Sequence, residues 1–325
     1  MDRHTVILHA DDFGLNPAVN RGIARAFREG LLTSTSLLAN APAAEAACQA
    51  WPHILEEQRR ACVDSNSIRH QIDDLSQLFD FGIHLNLTQG RPLTGERYPK
   101  ELLDGTGCFP GIGAVFRRLL FTPSRWREAV SAELQAQIEW MCDHQWRPTH
   151  LNGHQYVELL PAVSEMIPGL MQRYAIPVVR VALESGLSHR VLTQGRGMAW
   201  GLGLIKRLFA QRFLRRLRTS SAIFPDQFFG TAHAGRIDHA TLCGFFTQAS
   251  GYFTTEIGLH PGEEPDPGEA GPVAGQLGPG REWNDPLAHW RAQELRLLCS
   301  PELGSELLQR NLRLGRLHTL GATPS

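Results

Sequence analysis

The sequence lacks long apolar runs, closely spaced cysteine pairs and an excess of charge of either sign. No stretch reaches the roughly 18 apolar residues of a membrane-spanning helix. The 32 basic and 33 acidic residues leave a net charge of −1, which gives no general attraction to nucleic acid. The six cysteines contain no Cys-x-x-Cys pair, so free thiols in a reducing compartment are favoured over a disulfide or zinc framework. Charged Asp11 and Asp12 come too early for the apolar region of a signal peptide. We therefore expect a cytoplasmic protein without a nucleic-acid partner.

The remaining composition, 42% hydrophobic and 20% charged residues, is typical of a globular protein. A chain of 325 residues can bury a large core, as one α/β barrel or as two smaller domains. Predicted strands alternate with predicted helices, which favours a mainly parallel sheet covered by helices and closed into a barrel. We expect a single domain over residues 1–325. The predicted strands are 5–9, 33–40, 79–87, 149–151, 176–183 and 252–259, and the predicted helices are 17–30, 126–146, 159–174, 237–249 and 285–299.

Three stretches interrupt this alternation and are predicted to be surface insertions. One is a polar stretch at about 56–75. The last along the chain is a loop at 262–280, where ten of 19 residues are Gly or Pro. The second, 185–225, contains eight basic residues and no acidic ones. As a helix, this stretch has two interpretations. It is a solvated helix whose apolar side packs on the rest of the protein, or residues 196–218 form a surface that contacts an anionic membrane or a lipid-linked substrate.

Acidic or histidine side chains lie at or near the carboxyl ends of four of the predicted strands. Asp11 and Asp12 end the first strand, and His84, His150 with His154, and His260 mark three later ones. Because the carboxyl ends of parallel strands lie on one rim, these residues can converge. One carboxylate and two imidazoles are a common ligand set for a divalent ion, and a second carboxylate can act as a base. The spacing alone leaves open a helix-capping aspartate and unrelated core histidines.

Seven short motifs occur in one order over roughly 9–300. They are His9–Leu15, Leu32–Asn40, Gly82–Thr88 with Gly90–Leu93, Pro148–His154, Arg180–Glu184, Asp226–Gly230 and Glu256–Gly262. With these motifs, the chain resembles the YdjC-like (ChbG/HpnK) carbohydrate deacetylase family. The resemblance implies a distorted TIM-like (β/α) barrel of the polysaccharide-deacetylase type. It also implies metal-dependent hydrolysis of the acetamide of an N-acetylated sugar to amine and acetate.

By motif position, the resemblance implies roles for individual residues of this chain. Asp12, His84 and His154 would hold one divalent ion, Mg²⁺ or Zn²⁺ with a slight preference for Mg²⁺. Asp11 would be the base that activates water, and His260 the acid that protonates the departing amine. Residues that would contact the substrate or orient these groups are Arg180, Glu184, His150, Asn152, Asn86 and Asp226. For Arg180, an inward-facing ion pair with Glu184 or another acid is an equal alternative.

The third motif departs from the family pattern at Asn152. The family commonly has His-x-Asp-Gly-His, whereas this chain has His150-Leu-Asn-Gly-His154. An amide orients a histidine without a charge, which would weaken the basicity of the imidazole as a ligand.

Two alternatives to the deacetylase remain at this stage. One is a metallohydrolase acting on another amide or ester bond. The other is a catalytically silent sugar-binding or membrane-associated homologue, suggested by Asn152 and by the basic stretch. The expected partners are an N-acetylated carbohydrate, an anionic membrane on its inner face, and a second copy of the chain in a homodimer.

Overall fold

The computed structural model describes residues 4–64, 79–121, 123–184, 197–231, 233–266 and 283–321. Within these ranges the chain forms a parallel sheet surrounded by helices. The strands are β1 (His4–Phe13), β2 (Ser34–Leu37), β3 (Asp80–Leu85), β4 (His150–Gly153), β5 (Val178–Val179), β6 (Gln227–Phe229), β7 (Thr254–Leu259) and β8 (Leu312–Leu314). The helices are α1 (Pro17–Glu29), α2 (Ala44–Asp64), α3 (Ile112–Phe121), α4 (Pro123–Asp143), α5 (Pro161–Ser164), α6 (Ile167–Tyr174), α7 (Gly197–Leu217), α8 (His239–Ala249), α9 (Ala288–Leu298) and α10 (Pro301–Gln309).

Strand β1 lies at the middle of the sheet, whose order is β5-β4-β3-β2-β1-β7-β6, with β8 beside the start of β1. Each of these pairs is parallel. Ile223, just ahead of β6, forms a parallel bridge to Val178 in β5 and so connects the two ends of the order. The predicted distorted (β/α) barrel is therefore confirmed, and one end of every strand faces the same rim.

The centre of the sheet is buried. Val6, Ile7 and Leu8 of β1 have no exposed surface, because neighbouring strands flank β1 and helices cover the sheet. A strand buried on both faces needs a continuous apolar run rather than an alternating one, and this is the pattern that predicted β1.

Local signals set the start of the helix that follows β1. Asn16 caps α1 by accepting a hydrogen bond from the Val19 backbone N–H, and Pro17 takes the first helical position. Gly30 ends the helix, so the observed range agrees with the predicted one. A second cap, Asp238, accepts from the Thr241 backbone N–H and begins α8.

Several elements differ from their predicted extents. Helix α2 continues to Asp64, so residues 56–64 are its last turns, while 65–75 of that predicted insertion lie outside the described residues. The predicted helix 159–174 is two helices, α5 and α6, and the predicted strand 176–183 is only two residues long. Helices α2 and α3 and the three-residue strands β6 and β8 were not predicted.

The two other predicted insertions are only partly described. Residues 197–217 of the basic stretch form helix α7, and residues 262–266 belong to the start of the Gly/Pro-rich loop; 185–196 and 267–280 lie outside the described ranges. The single-domain assignment stays a prediction. Among the described helices, none combines the length and the apolar character that crossing a bilayer requires.

Candidate active site

Five of the predicted site residues line one cavity at the carboxyl rim of the barrel. They are Asp11 and Asp12 near the end of β1, His84 in β3, His154 directly after β4 and His260 directly after β7. This cavity, of about 170 Å³, is called the rim cavity below. Parallel strands bring these side chains together although they are far apart in sequence.

Three of the five form a group that can hold a cation. Asp12 Oδ1 lies 3.0 Å from His154 Nδ1 and 3.5 Å from His84 Nε2. One ligand atom from each residue lies within 4.8 Å of the other two, and all three residues are buried. A carboxylate and two imidazoles with space beside them suit a divalent ion, so the residues present fit the metal that the sequence implies.

The backbone at two ligand-bearing turns has an uncommon conformation. Asp12 has φ of 70°, and Gln155 and Tyr156, directly after His154, have φ of 51° and 62°. Residues other than glycine adopt this left-handed region rarely, at a cost on the order of 1 kcal/mol each, and such positions cluster at functional sites.

Each ligand is held by a further side chain. The Asn152 Oδ1 atom accepts a hydrogen bond from His84 Nδ1 at 2.7 Å, which leaves Nε2 facing Asp12. The Arg291 Nη2 group donates to Asp12 Oδ2 at 2.7 Å, and Asp285 accepts from Arg291 at 2.6 Å and 3.0 Å. The Oδ1 atom of Asp12 is therefore the one that faces the two histidines.

Asp11 has a separate set of partners. Arg180 Nη1 donates to its Oδ2 at 2.7 Å, and Asn152 Nδ2 donates to its Oδ1 at 3.1 Å. Arg180 also pairs with buried Glu256, so the predicted ion pair of Arg180 forms with Asp11 and Glu256. His9 Nε2 lies 3.1 Å from the same Oδ1.

The charges around the two aspartates determine their ionisation. Burial by itself raises the pKa of Asp11, but Arg180 and His84 outweigh it and hold that pKa well below its usual value. Burial likewise raises the pKa of Asp12, and His154 and Arg291 hold it well below normal. Both carboxylates are therefore ionised at neutral pH, although they are adjacent and buried.

His260 lies close to Asp11 in the rim cavity. Its Nε2 atom lies 3.8 Å from Asp11 Oδ2, and its backbone N–H donates to Glu294 at 2.6 Å. Its Nδ1 atom is buried without a hydrogen-bond partner in the described part of the chain, 4.0 Å from Glu294.

Comparison with known proteins identifies the family. The sequence profile described as YdjC-like protein matches residues 5–309. The chain belongs to the YdjC-like family. A human carbohydrate deacetylase is 30% identical over 98% of this chain and 91% of its own length. A carbohydrate deacetylase from Geobacillus stearothermophilus is 33% identical over 53% of this chain and 58% of its own length.

A solved structure supports the barrel of this YdjC-like chain. It is an Enterococcus faecalis V583 protein named for a proposed cleavage of cellobiose phosphate, and it matches with a TM-score of 0.67. The match covers 98% of this chain and 99% of that one at 19% identity, so it supports the fold alone.

The other predicted site residues of this YdjC-like protein lie around the rim cavity or away from it. Asn86 accepts from the backbone N–H groups of Thr88 and Gln89 and shapes the turn that carries Gln89. Glu184 accepts from the backbone of Gly230 and Thr231, and His150 is fully buried with its ring against His9.

Asp226 lies apart from the predicted group. It is exposed at the amino end of β6, where it accepts hydrogen bonds from the Thr254 backbone N–H and hydroxyl. Because the rim cavity is at the carboxyl ends of the strands, this contact joins β6 to β7 at the opposite end. The prediction that Asp226 contacts the substrate or orients the site is not supported by this position.

Three of the cavity-lining residues that were not predicted support Asp12 or His154. Arg291 and Asp285 hold Asp12, and Gln89 Nε2 lies 3.2 Å from His154 Nε2. The available signal for Arg291 was weak: it is a charged residue at a buried position of α9, 3% exposed. Gln89 lies in a turn, where neither periodicity nor charge marks it.

Proposed function

We propose that this protein is a metal-dependent carbohydrate deacetylase, which hydrolyses the acetamide of an N-acetylated sugar to an amine and acetate. The observation that carries the proposal is the Asp12, His84 and His154 group with Asp11 beside it in one cavity. The names of the related proteins support the carbohydrate substrate.

Asp12, His84 and His154 would hold the ion. Two imidazole nitrogens suit Zn²⁺ better than Mg²⁺, which prefers oxygen ligands, so we favour Zn²⁺ over the slight preference for Mg²⁺ drawn from the resemblance. When bound, a divalent ion polarises the acetamide carbonyl and makes a nearby water more acidic.

Asp11 would accept the proton of the attacking water, and His260 would give a proton to the departing amine. Arg180 and Asn152 fix the Asp11 carboxylate from two directions, and its low pKa keeps it ionised at neutral pH. His260 Nε2 lies 3.8 Å from Asp11 Oδ2, so the proposed acid and the proposed base line the same cavity within reach of one substrate group.

The test uses two variants and a panel of N-acetylated sugars, with acetate release and bound metal measured on each protein. Asp11→Asn should abolish turnover and keep the metal, because Asp11 is not among the three ligands. His84→Ala should lose both. An active Asp11→Asn protein would contradict the base assignment, and activity on other amides or esters without acetate release would favour the alternative hydrolase. Sugar binding without turnover at saturating metal would favour the silent homologue.

We also propose that helices α3 and α7 contact an anionic membrane or the lipid part of a lipid-linked glycan. Phe116 of α3 packs on Phe209 of α7 with ring centroids 5.8 Å apart, which joins the two helices. This α3–α7 surface exposes large apolar side chains and arginines: Leu120, Phe121, Leu208, Arg117, Arg207, Arg212, Arg215 and Arg218. Basic residues near an anionic bilayer contribute about 1 kcal/mol each, and exposed apolar side chains add to this by insertion.

Co-sedimentation with vesicles tests the membrane contact. The protein should sediment with anionic phosphatidylglycerol vesicles and not with neutral phosphatidylcholine vesicles, and Phe121→Ser with Leu208→Ser should abolish the binding. Phe253→Ser is the matched control, since Phe253 is 68% exposed but lies outside the α3–α7 surface. Absence of binding to anionic vesicles would overturn the proposal. The cytoplasmic location and the homodimer stay predictions.

A further inference from the structure

A second group of metal-binding side chains lies outside the rim cavity. His239 and Cys243 are one turn apart on α8, with Cys243 Sγ 3.7 Å from His239 Nδ1. Glu306 on α10 completes the group, and one ligand atom from each of the three residues lies within 4.8 Å of the other two. None of the three lines the rim cavity.

We propose that His239, Cys243 and Glu306 form a second metal site, which binds Zn²⁺ and joins helix α8 to helix α10. A thiolate and an imidazole select Zn²⁺ over Mg²⁺ or Ca²⁺, which take oxygen ligands. Three protein ligands leave the fourth tetrahedral position to water. His239 is exposed and the other two side chains are half-buried, so an ion can reach them from solvent.

The surroundings of Cys243 and Glu306 are compatible with an ion. Arg310 forms an ion pair with Glu306 through one carboxylate oxygen, and a carboxylate has a second oxygen for a metal. The thiol of Cys243 would lose its proton to solvent when the ion binds, as cysteine ligands do. Binding thus breaks the S–H bond, forms one metal–sulfur bond and releases one proton to solvent, so atoms and charge balance.

The position in the fold indicates a structural role. Helix α8 leads into β7, and α10 leads into β8; both strands pair with β1. A metal ion between the two helices would therefore fix the last strand of the chain against the centre of the barrel. This inference does not depend on the proposed deacetylase activity.

Titration with Co²⁺ alone tests the site, because a cobalt–thiolate bond gives a charge-transfer absorption band in the near ultraviolet. None of the described residues that line the rim cavity is a cysteine, so an ion bound by them does not produce this band. The full-length protein should show the band, and His84→Ala should keep it. Cys243→Ser and, as a second variant, His239→Ala should lose it or weaken Co²⁺ binding at least tenfold.

Cys142→Ser is the matched control. Cys142 is also a half-exposed free thiol, and it belongs to no such ligand group in the described part of the chain. The absorption band of the Cys142→Ser protein with Co²⁺ should be the same as that of the original protein. The proposal also predicts that Zn²⁺ raises the Tm of His84→Ala and does not raise that of His84→Ala with Cys243→Ser. A protein without the band, or a band that survives Cys243→Ser, overturns the second site whether or not acetate is released.

Discussion

At the scale of single residues, the two adjacent aspartates of β1 owe their coexistence to two separate arginines. Asp11 pairs with Arg180 after β5, and Asp12 pairs with Arg291 in α9. Two buried carboxylates next to each other would repel and share a proton if each lacked its own cation. The two cations approach from different elements, so Asp12 can face His84 and His154 while Asp11 faces His260.

Asn152 connects the two aspartate environments, and this leads to the first prediction at this scale. Its Oδ1 atom accepts from His84, and its Nδ2 group donates to Asp11, a donation that an ionised aspartate could not make. Asn152→Ala should weaken metal binding by roughly 10–100-fold, the usual effect of losing a residue that orients a metal ligand. The measurement is metal affinity by competition with a chelating dye.

Asn152→Asp is the matched variant, since it restores the residue that the family commonly has. It should bind metal at least as tightly as the original protein, because a carboxylate makes His84 a more basic ligand. Equal metal affinities for Asn152→Ala and the original protein would show that Asn152 does not orient His84.

The residue scale is also where sequence reasoning succeeded best. Asp11, Asp12, His84, His154 and His260 could be placed on one rim because each lies in or just after the carboxyl-terminal half of a predicted parallel strand. Arg291 could not, because it reaches Asp12 from a helix far along the chain and only tertiary packing brings them together.

At the scale of elements, strong local signals predicted their extents and weak ones did not. The apolar run of β1 and the Asn16 cap with Pro17 in α1 are decided by nearby residues. Strand β5 has two residues and β8 three, so their pairing with neighbours, rather than their own pattern, makes them strands. Helix α2 was not predicted, and the polar residues of its second half resemble a surface insertion.

The short 3₁₀ segment His154–Leu159 yields a prediction at this scale. Glu158 is fully buried, and neither carboxylate oxygen has a hydrogen-bond partner among the described residues. Burial raises the pKa of Glu158 from 4.5 to about 7. The ionised form is therefore disfavoured in the folded state, and stability should fall as pH rises from about 4.5 to about 7 and then level off.

Glu158→Gln removes this ionisation and should stabilise the protein more at about pH 8 than at about pH 5, by roughly 2 kcal/mol. The free energy of unfolding from urea titrations at both pH values measures it. The pKa of Lys206, which faces Glu158, is lowered to about 7 by burial, so the difference between protein and variant is the quantity to compare. Glu165→Gln is the control. Glu165 forms a partly exposed ion pair with Arg127, so this variant should show no such pH trend. A pH-independent effect of Glu158→Gln would contradict the prediction.

At the scale of the whole molecule, the amino end of the barrel is closed by the end of the chain. Asp80, the first residue of β3, has no exposed surface and pairs in register with Ser34 of β2. Its carboxylate accepts hydrogen bonds from the backbone N–H of Leu317 and, at 3.1 Å, from that of His318, whose ring it also contacts. One buried carboxylate thus attaches the segment after β8 to the start of β3.

Asp80→Ala should detach this segment, because it leaves two backbone N–H groups and one histidine without their acceptor. Leaving buried donors unsatisfied costs about 1–3 kcal/mol each, so the free energy of unfolding in urea should fall by at least about 2 kcal/mol. Limited proteolysis should then cut near residues 310–321 before the rest of the barrel. Asp143→Ala, at an exposed position at the end of α4, should change neither measurement. If Asp80→Ala kept both its urea midpoint and its resistance to cleavage, the C-terminal segment would be held by β8 and its pairing with β1 instead.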